Sequence, residues 1–166
     1  MKFYVVEPEV AGGWGDNIKV DRSGNVPKVE HLHYQFEGWS GDELLTTHPC
    51  FICTERVAQT FTEKRLSGFQ LAEMEVSTSE QFEELYPNKK LPKFYWLQIT
   101  GAFEENDFGI RENKLVVSEK ALECLKSFTL SQAEVFEVSQ YEWNSEKRTE
   151  QMFERMRAEL KRRKAP

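Results

Sequence analysis

All three histidines and two of the three cysteines lie in one short window of the chain, and imidazole and thiolate groups are the ligands that zinc prefers. The five residues are His31, His33, His48, Cys50 and Cys53. The intervening Phe51-Ile52 is apolar and typical of a strand, in which positions three apart point to opposite faces, whereas a zinc knuckle needs a tight turn. We therefore expect no metal, with Cys50 or Cys53 in the core and the histidines on one side of an exposed strand or loop.

Paired carboxylates are the next candidates for chemistry, because two of them can act as general acid and base. Three pairs are close in sequence: Asp16 with Asp21, Asp42 with Glu43, and Glu104 with Glu105. None is accompanied by a His, Lys or Cys at a spacing that predicts a nucleophile and its base, and neither a Gly-x-Ser-x-Gly elbow nor a His-Glu-x-x-His motif occurs. We expect a protein that is not an enzyme and that needs no cofactor.

Two glycine-rich segments carry large aromatic side chains. The first, residues 11–17, contains Trp14, and the short strand and turn predicted after it replace the helix that a phosphate-binding loop requires. The second, residues 38–42, contains Trp39 between Gly38 and Gly41, and Asp42 directly after Gly41. Trp14, Trp39 and Asp42 are therefore candidate contacts for a protein partner. Two alternatives remain: Trp39 folds back onto the body, or the three residues line the pocket of a small cytoplasmic enzyme or ligand-binding protein.

Asp107 is the fourth candidate contact. It begins the triplet Asp107-Phe108-Gly109, which also occurs in protein kinases. The chain lacks the glycine-rich loop, strand lysine and catalytic loop that give this triplet its meaning there. We therefore interpret it as a turn.

The chain contains two segments whose pattern predicts a strand, a helix and a second strand in that order. In the second unit, the strand-like Leu115-Val116-Val117 leads into Ser118, whose hydroxyl suits a helix N-cap. Apolar residues then recur at helical spacing from Ala121 to Phe128, and a strand at 135–139 closes the unit. The first unit covers about residues 50–77 with the same order. We predict a single α+β domain in which both units join one mixed sheet.

Further local signals complete this prediction. Residues 2–6 read as a strand, Ser79 caps a short helix that Pro87 stops, and residues 94–100 are apolar on both faces, as in the middle of a sheet. The expected core residues are Val5, Phe51, Phe61, Tyr95 or Trp96, Leu97, Val116, Leu122 and Leu125.

The charge is unevenly distributed. Residues 145–166 contain eight of the 22 basic and four of the 28 acidic residues, so residues 1–144 keep 14 basic and 24 acidic residues, a net charge of −10. This acidic body repels the phosphates of nucleic acids and favours basic protein partners. The N-terminus has too few apolar residues for a signal peptide, and no run approaches the ~20 residues of a membrane helix, so we expect a cytoplasmic protein that binds no membrane.

Residues 145–166 form a separate, basic segment that we predict to be an amphipathic helix. Met152 or Phe153, Met156 and Leu160 form one narrow apolar stripe in an otherwise charged sequence. We expect the stripe to dock on the acidic body. Weak self-association and a nucleic-acid contact are the alternatives.

Several motifs resemble a bacterial family of otherwise uncharacterised proteins. They are residues 4–13, Leu32-His33-Tyr34, residues 38–42, residues 49–52, residues 91–94, Asp107-Phe108-Gly109 and residues 115–119. That family looks like immunity proteins encoded beside secreted polymorphic toxins. The resemblance covers about residues 3–138 and assigns no functional residue. It implies that the chain binds and neutralises a cognate protein toxin, and the acidic body favours a basic one.

Overall fold

The computed structural model describes residues 1–165 and confirms an α+β fold in a single domain. The strands are β1 (Phe3–Glu7), β2 (Gly12–Trp14), β3 (Lys19–Asp21), β4 (Lys28–His31), β5 (His33–Phe36), β6 (Leu44–Thr47), β7 (Cys50–Thr54), β8 (Phe69–Ala72), β9 (Glu75–Thr78), β10 (Phe94–Ile99), β11 (Phe108–Arg111), β12 (Lys114–Ser118) and β13 (Glu134–Glu137). The helices are α1 (Glu55–Glu63), α2 (Glu80–Leu85), α3 (Glu119–Leu125) and α4 (Ser145–Lys164). A short 3-10 helix, Val138–Gln140, follows β13.

The two strand–helix–strand units contribute to different sheets, so the prediction of one sheet shared by both is wrong. The second unit lies in the sheet ordered β11-β12-β1-β13, and β7 of the first lies in the sheet ordered β6-β7-β10-β8. The predicted closing strand of the first unit, β9, pairs in parallel with β5 in a third, mixed sheet ordered β2-β5-β9. The strand that pairs with β10 on the side away from β7 is instead β8, which the sequence did not indicate.

β10 lies inside its sheet, between β7 and β8, as its apolar faces predicted. Every predicted core position is buried, with Trp96 rather than the half-buried Tyr95 at the alternative position. The largest cluster joins residues of both four-stranded sheets to the apolar faces of α1 and α3, and it includes Phe61, Leu97 and Leu122. Helix α3 ends at Leu125, so Phe128 packs against this cluster from the following loop, not from the helix.

Helix capping follows the sequence closely. The side chains of Thr54, Ser79 and Ser118 accept hydrogen bonds from the backbone amides three residues ahead, at the starts of α1, α2 and α3. In the glycine-rich segment near Trp14, Gly12 and Gly13 lie in β2 beside β5. A Cβ atom at Gly12 would overlap the carbonyl of Gln35, so this close strand approach requires glycine.

Helix α4 begins at Ser145 as predicted and ends at Lys164, before the predicted limit at residue 166, which lies outside the described residues. Its apolar stripe does not dock on the body. None of its residues is buried, and Met152, Phe153, Met156 and Leu160 are each about half exposed. The expectation of docking is therefore wrong. Within residues 1–165, no helix is both long enough and apolar enough to span a bilayer.

Candidate protein-binding surface

Helix α1 builds the centre of the candidate surface. Thr54 starts the helix directly after β7, which fixes its position against the sheet of β7, β10 and β8. Val57, Ala58 and Phe61 face that sheet and are buried. The residues at Glu55, Gln59 and Glu63 recur every four positions and are exposed, so they form the outward face of the helix.

A groove runs along one side of α1. It has a volume of about 390 Å³, and its lining includes Ala58 and Thr62 of the helix together with Leu71 and Tyr95 of the sheet. Leu71 is 37% exposed and Tyr95 is half-buried, so the groove offers an apolar floor to solvent. The carboxylate-bearing residues Glu55 and Glu63 also line it.

A second cleft, of about 550 Å³, adjoins this groove. Both concavities are lined by Glu55 and Gln59, so they adjoin at these two residues. The other lining residues of the cleft are Trp39, Gly41, Glu43, Thr54, Arg56, Pro92, Lys93 and Thr129. We call the two concavities together the α1 surface.

Glu43 and Arg56 form an ion pair in the cleft. The guanidinium donates from Nε and Nη2 to the two carboxylate oxygens of Glu43, at 2.9 and 2.6 Å. Thr54 Oγ1 and the backbone amide of Thr129 also donate to this carboxylate. Burial raises the pKa of Glu43, but the hydrogen bonds from Arg56 and Thr129 and the charge of Arg56 outweigh burial and leave this pKa below its ordinary value.

The remaining charges give the α1 surface a negative excess. Lys93 lies 3.3 Å from a carboxylate oxygen of Glu73, and its ammonium sits 4.6 Å from the ring centroid of Tyr95. Both basic residues of the surface are thus paired with carboxylates. Glu55 and Glu63 form no ion pair with any of residues 1–165, so their charges are uncompensated.

Trp39 is the one predicted contact residue that lines this surface. Its ring meets Phe94 edge-to-face at 6.0 Å, and its Nε1 donates to the carbonyl of Asp42 at 2.8 Å. Lys89 places its ammonium 5.0 Å from the ring centroid. Trp39 therefore folds back onto the body, as one alternative anticipated, and presents only part of its ring at the rim of the cleft.

Asp42 and Trp14 lie elsewhere. Asp42 is fully buried and accepts hydrogen bonds from the backbone amides of Ser131 and Gln132, so it is an internal tether that cannot contact a partner. Trp14 is half-buried in β2, and its buried Nε1 finds no hydrogen-bond partner among residues 1–165. Neither residue lines the cleft beside Trp39, so the structure does not assemble the expected three-residue pocket there.

Asp107 also has an internal role. One carboxylate oxygen accepts from Ser118 Oγ at 2.6 Å, and the other accepts from the backbone amide of Ser67 at 2.9 Å. Burial raises the pKa of Asp107, but these hydrogen bonds outweigh it and leave the pKa lowered. Phe108 and Gly109 begin β11, so the interpretation of this triplet as a turn is wrong.

His33, Ser77 and Glu75 have the composition of a hydrolytic triad but not its geometry. His33 Nε2 lies 2.7 Å from Ser77 Oγ, and its Nδ1 lies 3.5 Å from Glu75. The backbone amide of Asn17 donates to the same Nδ1 at 3.0 Å, so in the neutral ring the proton sits on Nε2. Since Nε2 then donates to Ser77, the imidazole cannot act as a base toward that hydroxyl, and the cluster has no activated nucleophile.

The window of histidines and cysteines does not converge on one point. His33 is buried, so the expectation that the histidines lie on one side of an exposed strand or loop is wrong. His31 contacts Glu75 from β4, and His48 is exposed. Cys50 and Cys53 are both buried, and burial raises their pKa values to about 11 and 12. Within residues 1–165 no three His, Cys, Asp or Glu side chains are grouped to hold a metal ion.

Sequence reasoning missed most of the α1 surface. The spacing of Glu55, Gln59 and Glu63 was a usable signal for an outward helix face. Leu71 carried no such signal, because β8 was not recognised and its pairing with β10 is what brings Leu71 beside Tyr95. The Glu43–Arg56 pair likewise depends on the register of β6 and β7.

The chain matches no protein-family model, and neither the curated proteins nor the solved structures include a match. The resemblance to immunity proteins therefore rests only on the motifs quoted from the sequence.

Proposed function

We propose that this chain is an immunity protein that binds and neutralises a basic protein toxin through the α1 surface. The observation that supports it most directly is the combination, in two adjoining concavities, of an apolar floor with the uncompensated carboxylates of Glu55 and Glu63. The motif resemblance supplies the class of partner. The net charge of −10 on residues 1–144 adds a long-range attraction for a basic toxin.

The two parts of the surface have different roles in this proposal. Leu71, Tyr95 and the exposed part of Trp39 provide the apolar and aromatic area that gives an interface most of its affinity. Glu55 and Glu63 orient the approaching partner and raise the association rate, which therefore falls as salt screens the charges. Dissociation depends mainly on the apolar contacts and changes much less with salt.

The test uses co-expression with the toxin encoded beside the gene and association kinetics on the purified pair. Wild-type protein should rescue growth, and the double variant Glu55→Lys, Glu63→Lys should slow association by about tenfold at low salt. The matched control is Glu104→Lys, Glu105→Lys, which makes the same charge change on exposed residues outside the surface. Equal slowing by both double variants would assign the effect to net charge and not to the α1 surface.

A ligand-binding role is the second candidate, because the cleft beside Trp39 has the volume of a small-molecule site. Its lining combines the carboxylate of Glu43 with the cations of Arg56 and Lys93. Failure to rescue growth, together with no complex at about micromolar concentration, would favour this candidate over a toxin partner. A small molecule that raises the melting temperature of wild type but not of Arg56→Gln would then support it.

A further inference from the structure

Helix α4 carries an apolar stripe that the rest of the described chain leaves about half exposed, although Thr149 and Met152 also line a cleft between the start of the helix and the body. Met152, Phe153, Met156 and Leu160 are 46–54% exposed. The helix is held to the body near its start, where Arg148 donates to the carbonyl of Glu142 at 2.9 Å. An amphipathic helix takes most of its stability from packing its apolar face. Helix α4 therefore lacks the contact along its stripe that would stabilise the helix.

We propose that a second copy of this chain covers the stripe, through antiparallel pairing of the two α4 helices. The seam follows steps of three and four residues from Glu146 through Thr149, Phe153, Met156 and Leu160 to Arg163. This is the spacing of the inner positions of a coiled coil. The proposal goes beyond toxin binding and does not depend on it.

One antiparallel register satisfies the whole seam. When Phe153 faces Met156 of the second copy, the same offset places Leu160 opposite Thr149 of that copy. It also places Glu146 opposite Arg163, which pairs opposite charges at both ends of the seam. The apolar residues then occupy the centre of the pair, where water is excluded.

The flanking positions fit the same register. Glu150 and Arg157 lie seven residues apart on one flank of the stripe. In the antiparallel pair, Glu150 of each copy faces Arg157 of the other copy. The first turn of α4 holds Glu146, while its last turn holds Lys161, Arg162, Arg163 and Lys164. Two antiparallel copies therefore bring Glu146 of each copy to the basic last turn of the other.

Parallel pairing conflicts with this pattern. It would place Glu146 against Glu146 and Arg163 against Arg163, so like charges would meet inside the seam. A nucleic acid would contact the basic last turn but leave the apolar stripe in water. Charge complementarity therefore selects a second copy, in the antiparallel orientation, as the occupant.

The test is sedimentation equilibrium of the full chain over a range of concentrations. The seam spans fewer than three heptads, so we expect a reversible dimer with a Kd of roughly 10–100 μM. Met156→Glu should abolish the dimer, because it puts a carboxylate at the centre of the seam. The matched control is Arg155→Glu, which adds a carboxylate outside the seam and should leave a dimer.

A charge swap tests the register itself. Glu150→Arg should weaken the dimer by about tenfold, because two attractive contacts become repulsive, and adding Arg157→Glu should restore it. Within the helix, an arginine at position 150 pairs with Glu154 and a glutamate at 157 pairs with Lys161, so circular dichroism should show unchanged helix content. Failure of the double variant to restore the dimer would exclude this register.

Two results would overturn the proposal. One is a wild-type protein that stays monomeric at about 1 mM, a concentration well above the expected Kd. The other is a dimer that Met156→Glu leaves intact, which would place the contact on another surface. A monomer that binds vesicles of phosphatidylcholine and phosphatidylserine through the stripe would identify a lipid surface as the occupant instead.

Discussion

The carboxylate of Asp42 accepts hydrogen bonds from the backbone amides of Ser131 and Gln132, each at 2.9 Å, and these residues lie 89 and 90 positions later in the chain. Ser131 Oγ donates a further bond of 2.9 Å to the same carboxylate. Asp42 is fully buried, so these three donors replace the water that its charge has lost. The contact joins the loop before β6 to the loop between α3 and β13.

This tether predicts a large loss of stability on substitution. Asp42→Ala leaves two backbone amides without an acceptor and should lower the free energy of unfolding by about 2–5 kcal/mol. Asp42→Asn keeps one acceptor oxygen and should cost less. Urea unfolding measures both, with Asp16→Ala as the exposed control. A cost for Asp42→Ala below about 0.5 kcal/mol would show that the tether is dispensable.

The hydrogen-bonded carboxylate of Glu43 should make the stability of the folded protein depend on pH in the acid range. Its folded-state pKa is lowered, so the carboxylate adds stability above its unfolded-state pKa of about 4.3, and this contribution disappears as pH falls through the folded-state value. Glu43→Gln should be less stable than wild type at pH 7 by about 1–3 kcal/mol, and the difference should shrink as the pH is lowered from about 5 to 2.

The measurement is urea unfolding of both proteins across that pH range. The control is Glu55→Gln, since Glu55 is exposed and forms no ion pair within the described residues. If the difference in free energy of unfolding between wild type and Glu43→Gln stays constant with pH, the Glu43–Arg56 ion pair is not the source of the stability difference.

The cysteines should react slowly in the folded protein. Burial raises the pKa of Cys50 to about 11 and that of Cys53 to about 12, and it also raises the pKa of Cys124. Both the thiolate fraction and reagent access are therefore low. Labelling with a thiol reagent at pH 8 should be slow in buffer and should reach all three cysteines quickly in denaturant. Fast labelling of one thiol in buffer would reveal local opening around it.

Removal of residues 145–166 should leave a folded body. No residue of α4 is buried, so truncation exposes little apolar surface. The melting temperature, measured by circular dichroism at a concentration where the full chain is monomeric, should change by no more than about 5 °C. Aggregation or unfolding of residues 1–144 would show that α4 is integral to the fold.

Local structure followed from the sequence because the interactions that decide it span only a few residues. Thr54, Ser79 and Ser118 cap their helices through amides three positions ahead, and the charge pattern of α4 needs no tertiary contact. Apolar spacing likewise indicated the buried faces of α1 and α3, since such a face must leave water whatever it packs against.

The tertiary structure alone decided which strands meet and what the candidate surface contains. Strand pairing is chosen between segments far apart in sequence, so β9 could join β5 and β8 could join β10 without any local sign of it. The pairing of β8 with β10 places Leu71 beside Tyr95. A contact with the loop after α3 buries Asp42, whose glycine-rich neighbourhood had predicted an exposed position. The sequence determined how each segment folds. Long-range packing determined which side chains reach solvent, because burial depends on the partner that covers a residue as well as on the residue itself.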